Sequence, residues 1–485
     1  MPTLPTFRDP DGFCFLWGDR FLRVIHPQAV DRVRTLVDSK LIHRLVEEDC
    51  LPRTRVLDAV EAAQLLADSG VGWSAHIGLA AMVLEHERIP FVSYPHEWCP
   101  EMLYAAGELT LELQLRALDE GHTLKDATPT NILFAGHQPV FVDFLSFVPR
   151  TSGTAVWTAY AQFVRTFLLP LLLHRKLGIA THDLFLGRRD GVEPEEVYRQ
   201  LSGLGRLSPL ALQYVSAPTW LGRTQAGKDA APASAGPYDE ERAIMISRML
   251  VRGLQRALRK VMPHSLREST WSDYMATSSY QGESFRAKER FVKAAIAELA
   301  PQTVLDVGCN TGHFSCMAAA LGASVVALDY DSVVVGRLWN RVRAEKVAVV
   351  PLVMNLARPS PGLGWRNREN DSFLTRAEGK FDVALLLAVL HHLTVTDGVP
   401  LAEIFHLMAQ MVLKGLIIEY VPPSDPMFQK IIRNKEHLIS KLQQPDFEVA
   451  FAPWFVEVHR EILPESGRIL YVLRKKNLQS TRSRS

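Results

Sequence analysis

The stretch "VLDVGCNTGHFS", Val304 to Ser315, decides the fold of the C-terminal half. An apolar strand runs into a turn that holds Gly308 and Gly312, and the residues that follow have helical spacing. Glycines here let the backbone approach a ligand closely, where a side chain would block it. Asp306 falls at the end of the strand, where ligands bind in open α/β sheets. The stretch therefore predicts a strand, a ligand-binding turn and a helix.

Strand and helix signals alternate along the rest of this half, from Gln302 onward. The predicted strands are "TVLDVG", "SVVALDY", "AVVPLVMN", "FDVALLLAVL", "GLIIEYV", "FVEVHREIL" and "RILYVLRK". Nearly continuous apolar strands that alternate with helices are typical of a mostly parallel sheet covered on both faces. We therefore predict an α/β fold.

The charges of the turn indicate which nucleotide it binds. Asp329 ends the second strand, seventeen residues after Gly312, and an acid there suits the two hydroxyls of a ribose. The turn reads Gly-Cys-Asn-Thr-Gly, which departs from the Gly-x-Gly-x-x-Gly of dinucleotide sites. Asp306 would repel a pyrophosphate but attract the ammonium of a methionine moiety, so the charges favour S-adenosylmethionine.

These residues closely resemble motif I of class I S-adenosylmethionine-dependent methyltransferases, over residues 270–475. The resemblance implies a Rossmann-like sheet with an antiparallel last strand, S-adenosyl-L-methionine as cofactor, and no metal. The residues that it implies for cofactor binding are Asp306, Gly308, Cys309, Asn310, Gly312, Asp329, Tyr330, Asn355 and Leu387.

Three residues are candidates for catalysis. "FDVALLLAVLHHL" resembles motif IV of the class, and His391 and His392 directly follow its strand. One of them is predicted to remove a proton from an acceptor hydroxyl; the alternative is that the pair caps and packs a helix. Glu419 ends "GLIIEY" and is predicted in the same crevice, as the base or as an acceptor-binding group.

Two further segments are predicted near the ligands. Residues 271–292 resemble a lid over the cofactor with Tyr280 and Lys288 as contacts, although a packed aromatic and a surface lysine fit equally well. The loop at residues 355–370 is predicted to shape acceptor specificity. The lid, "PSPGLGW", "LHHL" and "IIEYVPPSDP" together resemble a bacterial group of nodulation-type methyltransferases, over nearly the whole chain.

The N-terminal half contains "LKDATPTNILFAGHQPVFVDF", Leu124 to Phe144. Asp126 lies five residues before Asn131, and Asp143 lies twelve residues beyond. This spacing, with a helix before it and a strand–turn–strand inside it, resembles the aminoglycoside-phosphotransferase branch of the kinase-like fold. The resemblance implies an α+β domain in which Asp126 orients an acceptor while Asn131 and Asp143 hold magnesium.

Other parts of a kinase site are missing from the sequence. The first hundred residues contain no Gly-x-Gly-x-x-Gly loop and no Val-Ala-Ile-Lys strand, and Arg23 and Lys40 are the nearest cations. We therefore predict a degenerate kinase-like domain. The alternative is an active phosphotransferase, or a bifunctional kinase and methyltransferase. A third interpretation is that Asp126, Asn131 and Asp143 only hold loops together.

Composition sets the domain organisation of the 485 residues. A segment rich in Ala, Gly, Pro and Ser, residues 222–241, is predicted to be a flexible linker. It separates a kinase-like domain at 1–221 from a methyltransferase domain at 242–476, with a disordered tail at 477–485.

Charge and cysteine content limit the partners. The net charge of +1 argues against nucleic acid, and five scattered cysteines indicate a reducing compartment without a zinc site. The run "FLLPLLL", Phe167 to Leu173, is too short to cross a membrane, so a buried helix and a cytoplasmic location are predicted. We expect O-methylation of a small-molecule or glycan acceptor; N- and C-methylation and a homo-oligomer are left open.

Overall fold

The computed structural model describes residues 8–68, 82–225, 238–263 and 282–476. The chain forms two compact units, one of residues 1–264 with 364–369 and one of residues 265–363 with 370–485. The predicted start of the second domain at residue 242 differs from this division. The tail at 477–485, Tyr280 and the middle of the predicted linker lie outside the described residues.

The first unit begins with a four-stranded antiparallel sheet in the order β1-β2-β4-β3. Its strands are β1 (Gly12–Trp17), β2 (Arg20–Ile25), β3 (Thr54–Val56) and β4 (Met82–His86). The β1–β2 hairpin turns at Gly18, where φ is 57° and glycine avoids the strain of a side chain. Two antiparallel pairs follow, β5 (His122–Leu124) with β8 (Phe147–Pro149) and β6 (Ile132–Ala135) with β7 (Gln138–Phe141).

The helices of the first unit pack around a long central helix. They are α1 (Val30–Val37), α2 (Lys40–Glu47), α3 (Ala59–Asp68), α4 (Pro100–Asp119), α5 (Tyr160–Phe163), α6 (Leu169–Leu177), α7 (Thr181–Gly187), α8 (Pro194–Gln200), α9 (Pro209–Ala211), α10 (Ala217–Gln225) and α11 (Glu240–Lys260). π-helical turns at Val164–Leu168 and Leu212–Ser216 join neighbouring helices. Helix α4 is mostly buried and is followed by Gly121 in the left-handed region, as predicted for a capped helix.

Helix α11 explains why the boundary differs from the prediction. It is amphipathic, and its apolar face packs on α4 of the first unit. Ser247 Oγ also donates to the carbonyl of Ala155, over a distance of 3.0 Å. The helix therefore belongs to the N-terminal unit. The run from Phe167 to Leu173 is likewise a buried helical segment, as expected.

The second unit is built on a seven-stranded sheet in the order β11-β10-β9-β12-β13-β15-β14. Its strands are β9 (Thr303–Val307), β10 (Ser324–Asp329), β11 (Val349–Val353), β12 (Phe381–Leu386), β13 (Val412–Tyr420), β14 (Phe455–Ile462) and β15 (Ile469–Lys475). Strands β9 to β13 are parallel, whereas β15 runs antiparallel to both of its neighbours. The predicted mostly parallel sheet with an antiparallel last strand is confirmed.

Helices cover both faces of this sheet. They are α12 (Glu283–Leu299), α13 (His313–Ala320), α14 (Ser332–Glu345), α15 (Phe373–Ala377), α16 (Leu401–Met411), α17 (Pro426–Ile431) and α18 (Gln444–Phe451), with a π-helical turn at His392–Thr396. Because β9, β10 and β12 are parallel, their carboxyl ends meet at one edge of the sheet, and the motifs predicted to bind ligands lie there. Among the described residues, no helix is both long and apolar enough to span a membrane.

Candidate active site

The turn after β9 has a backbone that only glycine tolerates at two positions. Gly308 and Gly312 have φ angles of 74° and 77°. A Cβ atom on Gly308 would lie 2.9 Å from Cγ2 of Val389, and one on Gly312 would lie 2.2 Å from Cδ1 of Leu338. The glycines thus keep the turn close to its protein neighbours. Gly308 also lines the ligand space, as the sequence predicted.

Asp306 lies at the end of β9 and is 3% exposed. Ser315, on the first turn of α13, donates its hydroxyl to Oδ2 of Asp306 over 2.5 Å. Burial raises the pKa of Asp306 to about 6; the charge of Asp329 adds to this rise, whereas the Ser315 hydroxyl and the charge of Lys288 oppose it. A positively charged ligand that binds next to this buried carboxylate would stabilise its charged form.

Asp329 lies at the end of β10 and is oriented by backbone groups. The N–H of Asn310 donates to Oδ2 and the N–H of Asp331 donates to Oδ1, each over 3.0 Å. Burial raises the pKa of Asp329 to about 6, although these backbone donors act in the opposite direction. The carboxylate is therefore fixed in place and keeps lone pairs for a ligand.

A cavity of about 460 Å³ opens beside these two acids. This volume lies within the range usual for small-molecule sites. The predicted cofactor residues that line it are Asp306, Gly308, Cys309, Asn310, Asp329, Tyr330, Asn355 and Leu387. Gly312 lies under the turn and packs against Leu338 instead. Burial raises the pKa of the Cys309 thiol well above its usual value, so the thiol stays neutral.

The two neighbouring histidines have different surroundings. His392 lines the cavity, whereas His391 is 6% exposed, stacks on Phe428 and has an Nδ1 atom with no hydrogen-bond partner in the described structure. Burial lowers the pKa of His391 to about 3. Burial also lowers the pKa of His392, while the nearby Asp397 carboxylate partly offsets the effect. Both rings are therefore neutral at pH 7, and His392 is the one that faces ligand space.

Glu419 is fully buried and does not line the cavity. Its Oε2 accepts from Nζ of Lys288 over 2.5 Å, and its Oε1 accepts from Nη1 of Arg468 over 3.1 Å. With both oxygens engaged, the carboxylate is poorly placed to take a proton from an acceptor. The geometry argues against the predicted role of Glu419 as a base.

Several residues of the cavity wall were not predicted from the sequence to bind a ligand, and for Lys288 two interpretations were left open. Lys288 is 4% exposed and lines the cavity, so it is not a surface lysine. His313 follows the glycine turn and its Nε2 lies 2.7 Å from Oε1 of Glu289, on the same helix as Lys288. The other unpredicted wall residues include Phe285, Phe314, Met354, Arg358, Val389, Thr396 and Asp397. Their side chains converge only through tertiary packing, which leaves no short motif.

The predicted trio of the first unit also comes together. Ser146 joins two members, because its hydroxyl donates to Oδ2 of Asp143 over 2.7 Å while Nδ2 of Asn131 donates to it over 3.5 Å. Asp126 lies near enough that the charge of Asp143, together with burial, raises the pKa of Asp126. The spacing read from the sequence therefore describes a real cluster.

Arg23, one of the two nearest cations in the sequence, lies beside this cluster. It projects from β2, is 8% exposed, and its Nη1 lies 3.6 Å from Oδ1 of Asp143. Its Nη2 also donates to the carbonyl of Val142 over 3.4 Å. Asp143 is thus already paired with a guanidinium inside the unit, where a magnesium-binding carboxylate would need to face a metal ion.

The fold and the site of the second unit define a class of enzyme. Residues 280–439 match the family described as a methyltransferase domain. Together with the strand order, the glycine turn and the acid at the end of each of the first two strands, this match identifies a class I S-adenosylmethionine-dependent methyltransferase. S-adenosylmethionine is the cofactor of that class.

A relative covers nearly the whole chain. The nodulation protein NoeA of Rhizobium meliloti (strain 1021) is 30% identical over 477 residues, which are 97% of this chain and 95% of that protein. The chain belongs to the NoeA family, and the predicted resemblance to nodulation-type methyltransferases is confirmed.

Another relative combines the two activities that the sequence suggested. The O-antigen chain terminator bifunctional methyltransferase/kinase WbdD of Escherichia coli is 28% identical over 133 residues, 26% of this chain and 16% of that protein. The kinase-like character of the N-terminal domain agrees with this relative. Among solved structures, the N-methyltransferase NodS from Bradyrhizobium japonicum WM9 is 14% identical, with 46% of this chain and 97% of NodS covered and a TM-score of 0.31.

Proposed function

We propose that this protein transfers the methyl group of S-adenosylmethionine to a hydroxyl oxygen of a glycan or small-molecule acceptor. The observation that carries the proposal is that one cavity is lined by Asp306, Asp329, Asn355 and His392. These groups would suit an aminoacyl end, a ribose and an adenine beside a neutral imidazole.

The wall residues fit the cofactor in charge and in space. Asp329 would accept hydrogen bonds from the ribose hydroxyls, since backbone N–H groups already hold its two oxygens in place. Asp306 would face the ammonium of the methionine end, and Asn355 the adenine amine. Gly308 lines the same wall, where a Cβ atom would collide with Val389. Cys309, Asn310, Tyr330 and Leu387 complete the wall.

The bound cofactor supplies an electrophilic methyl group on a sulfonium. The protein contributes position: the acceptor oxygen must be held about 3 Å from the methyl carbon and in line with the bond that breaks. His392 would accept the hydroxyl proton as the oxygen attacks, because its lowered pKa leaves the imidazole unprotonated at pH 7 and able to take a proton. His391 would support the ring of His392, 4.4 Å away between centroids, and would not touch substrate.

The names of the relatives support a saccharide as the acceptor. WbdD is named as a terminator of O-antigen chains, and a saccharide offers hydroxyl groups in abundance. A base that is neutral at pH 7 also suits a hydroxyl, which must lose its proton on methylation. The wall residues Arg358 and Asp397, whose charged groups lie 3.6 Å apart, are polar and would bind hydroxyl groups of such an acceptor.

Cell extracts incubated with the full chain and S-adenosylmethionine labelled in its methyl group test the proposal. We expect mass spectrometry to find the label in a methyl ether of a hydroxylated compound, stable to mild alkali. Label on nitrogen or in an alkali-labile ester would overturn methylation of a hydroxyl while leaving the enzyme class intact. Failure of the chain to bind S-adenosylhomocysteine in calorimetry would overturn the proposed site.

A further inference from the structure

Four charged side chains form a buried cluster beside the cavity, which we call the ion cluster: Lys288, Glu419, Asp425 and Arg468. Their exposed fractions are 4%, 0%, 4% and 4%. They come from α12, from the end of β13, from the residue before α17 and from the residue before β15. Burying four charges is costly unless each is paired, so the arrangement needs a physical reason.

Every carboxylate of the ion cluster is held from two sides. Glu419 lies between Lys288 and Arg468, and Nε of Arg468 donates to Oδ2 of Asp425 over 2.8 Å. The other oxygen of Asp425 accepts from the backbone N–H groups of Met427 and Phe428, over 2.8 and 3.3 Å. Two positive and two negative charges balance. The ion pair with Glu419 gives the side chain of Lys288 one direction.

Lys288 is the one member of the ion cluster that lines the cavity, and it shares that wall with Asp306. The lysine charge acts on Asp306, since it lowers the pKa of that carboxyl against the effect of burial. A cation and an anion therefore line the same cavity, and the charge of one acts on the other. This is the complement of a zwitterion, whose ammonium and carboxylate are a short distance apart.

We propose that Lys288 binds the carboxylate of the methionine end of the cofactor, and that Glu419 and Arg468 are positioning residues that aim it. The inference rests on the proposed function, because it assumes that the methionine end lies beside Asp306. An ammonium group has three donors, so Lys288 can donate to Glu419 and to a ligand carboxylate together. This role explains why a glutamate, Glu419, is buried behind the cavity wall: it holds the ammonium group of Lys288 in place.

Two ligands that differ by one group test the proposal in calorimetry. S-adenosylhomocysteine carries the carboxylate, and its decarboxylated analogue, S-adenosyl-3-thiopropylamine, does not. We expect the wild-type chain to prefer the carboxylated ligand by about tenfold to a hundredfold, as for a charge-assisted hydrogen bond. We expect Lys288→Met to lose that preference and to bind the analogue within about threefold of wild type.

The outcomes separate the two levels of the proposal. Equal affinity of the wild-type chain for both ligands, or an unchanged preference in Lys288→Met, would overturn the role of Lys288 and leave the proposed function standing. Binding of neither ligand to the wild-type chain would overturn the proposed function itself. Lys414→Met is the matched control, because Lys414 lies on β13, pairs with Asp382 and does not line the cavity.

Arg468→Met and Arg468→Lys test the positioning role. The first removes the donors that hold Glu419, and we expect the preference for the carboxylated ligand to fall by about threefold to tenfold. The second restores a cation, and we expect it to recover most of the preference. Because the readout is a ratio of two affinities on one variant, partial unfolding cannot mimic it. An unchanged ratio in Arg468→Met would show that Arg468 serves stability alone.

Discussion

The acids of the two halves have opposite electrostatic surroundings. In the second unit, backbone N–H groups of Asn310 and Asp331 orient Asp329 without neutralising its charge. In the first unit, the guanidinium of Arg23 faces Asp143 at 3.6 Å. A carboxylate that is oriented but not neutralised attracts a cationic ligand, whereas one that is paired within the protein must first give up its partner. We therefore expect the chemistry in the second unit.

The largest effect that we expect is on kcat for methyl transfer, and it should be confined to variants of the second unit. His392→Gln removes the proposed base, and we expect kcat for methyl transfer to fall about 10²- to 10⁴-fold. Cofactor affinity should change little. Asp126→Asn, the equivalent change in the kinase-like cluster, should leave kcat unaltered. Turnover with labelled cofactor measures both variants, with the exposed His406→Gln as control. A normal kcat in His392→Gln would remove the base assignment.

A second experiment compares the acids directly. Asp329→Ala should weaken binding of S-adenosylhomocysteine about a hundredfold or more, since a charged acceptor for two hydroxyls is lost. Asp143→Ala should leave that affinity unchanged. Asp382→Asn is the matched control, because Asp382 lies on β12 and does not line the cavity. Calorimetry decides, and undiminished affinity in Asp329→Ala would show that the ribose binds elsewhere.

Cofactor affinity should also depend on pH. Because burial raises the pKa of both Asp306 and Asp329 to about 6, the carboxylates become protonated as the pH falls through that value. We expect the affinity for S-adenosylhomocysteine to be constant above pH 7 and to fall by about tenfold per carboxylate at pH 5. Calorimetry across this range measures it. Affinity that stayed constant down to pH 5 would show that these acids do not bind the cofactor.

Stability should respond to pH in the opposite direction. The pKa of Asp306 is higher in the folded protein, about 6, than its ordinary value of 3.8, so the folded state binds the proton more tightly. The free energy of unfolding therefore falls as pH rises from about 4 to 6, and the loss persists above that window. Asp306→Asn should then be more stable than wild type at pH 7.5, on the order of 1–3 kcal/mol, but not at pH 4.

Thermal unfolding of Asp306→Asn at the two pH values provides the measurement. A destabilised variant at pH 7.5 would mean that the hydrogen bond from Ser315 outweighs the cost of burying the charge. Asp382→Asn is a suitable control, since that carboxylate lies at the start of β12, away from the cavity.

The smallest expected effect concerns the first unit. In calorimetry, we expect ATP with magnesium to bind with a dissociation constant no lower than about 1 mM, because Arg23 already pairs with Asp143. Micromolar binding would break the comparison and restore the phosphotransferase alternative. Arg23→Met frees Asp143 and shows whether the ion pair is what excludes the metal.

The sequence predicted local structure well where one element carries the signal. The strand, turn and helix around Gly308 and Gly312 are found as expected, and so are the seven strands predicted in the second unit. Each of these depends on residues close together in the chain. Helix α11 shows the limit, because an amphipathic pattern says that a face is buried but not against which unit.

Side-chain partners in the site could not be predicted for the same reason. Nothing near Glu419 in the sequence indicates Lys288 or Arg468, which lie 131 and 49 residues away. His391 and His392 are adjacent in sequence, yet a π-helical turn beginning at His392 gives them different surroundings. The ion pair between Arg23 and Asp143 could not be predicted either, because the two residues are 120 positions apart and no local motif links them.

The ion cluster has a consequence for synthesis of the protein. Arg468 precedes β15, the last strand of the sheet in chain order, whereas Lys288 lies on the helix that precedes the first strand. A nascent chain that ends before Arg468 would hold Glu419 and Asp425 without their guanidinium. The ion cluster can therefore be completed only after all the other strands of the sheet have been synthesised.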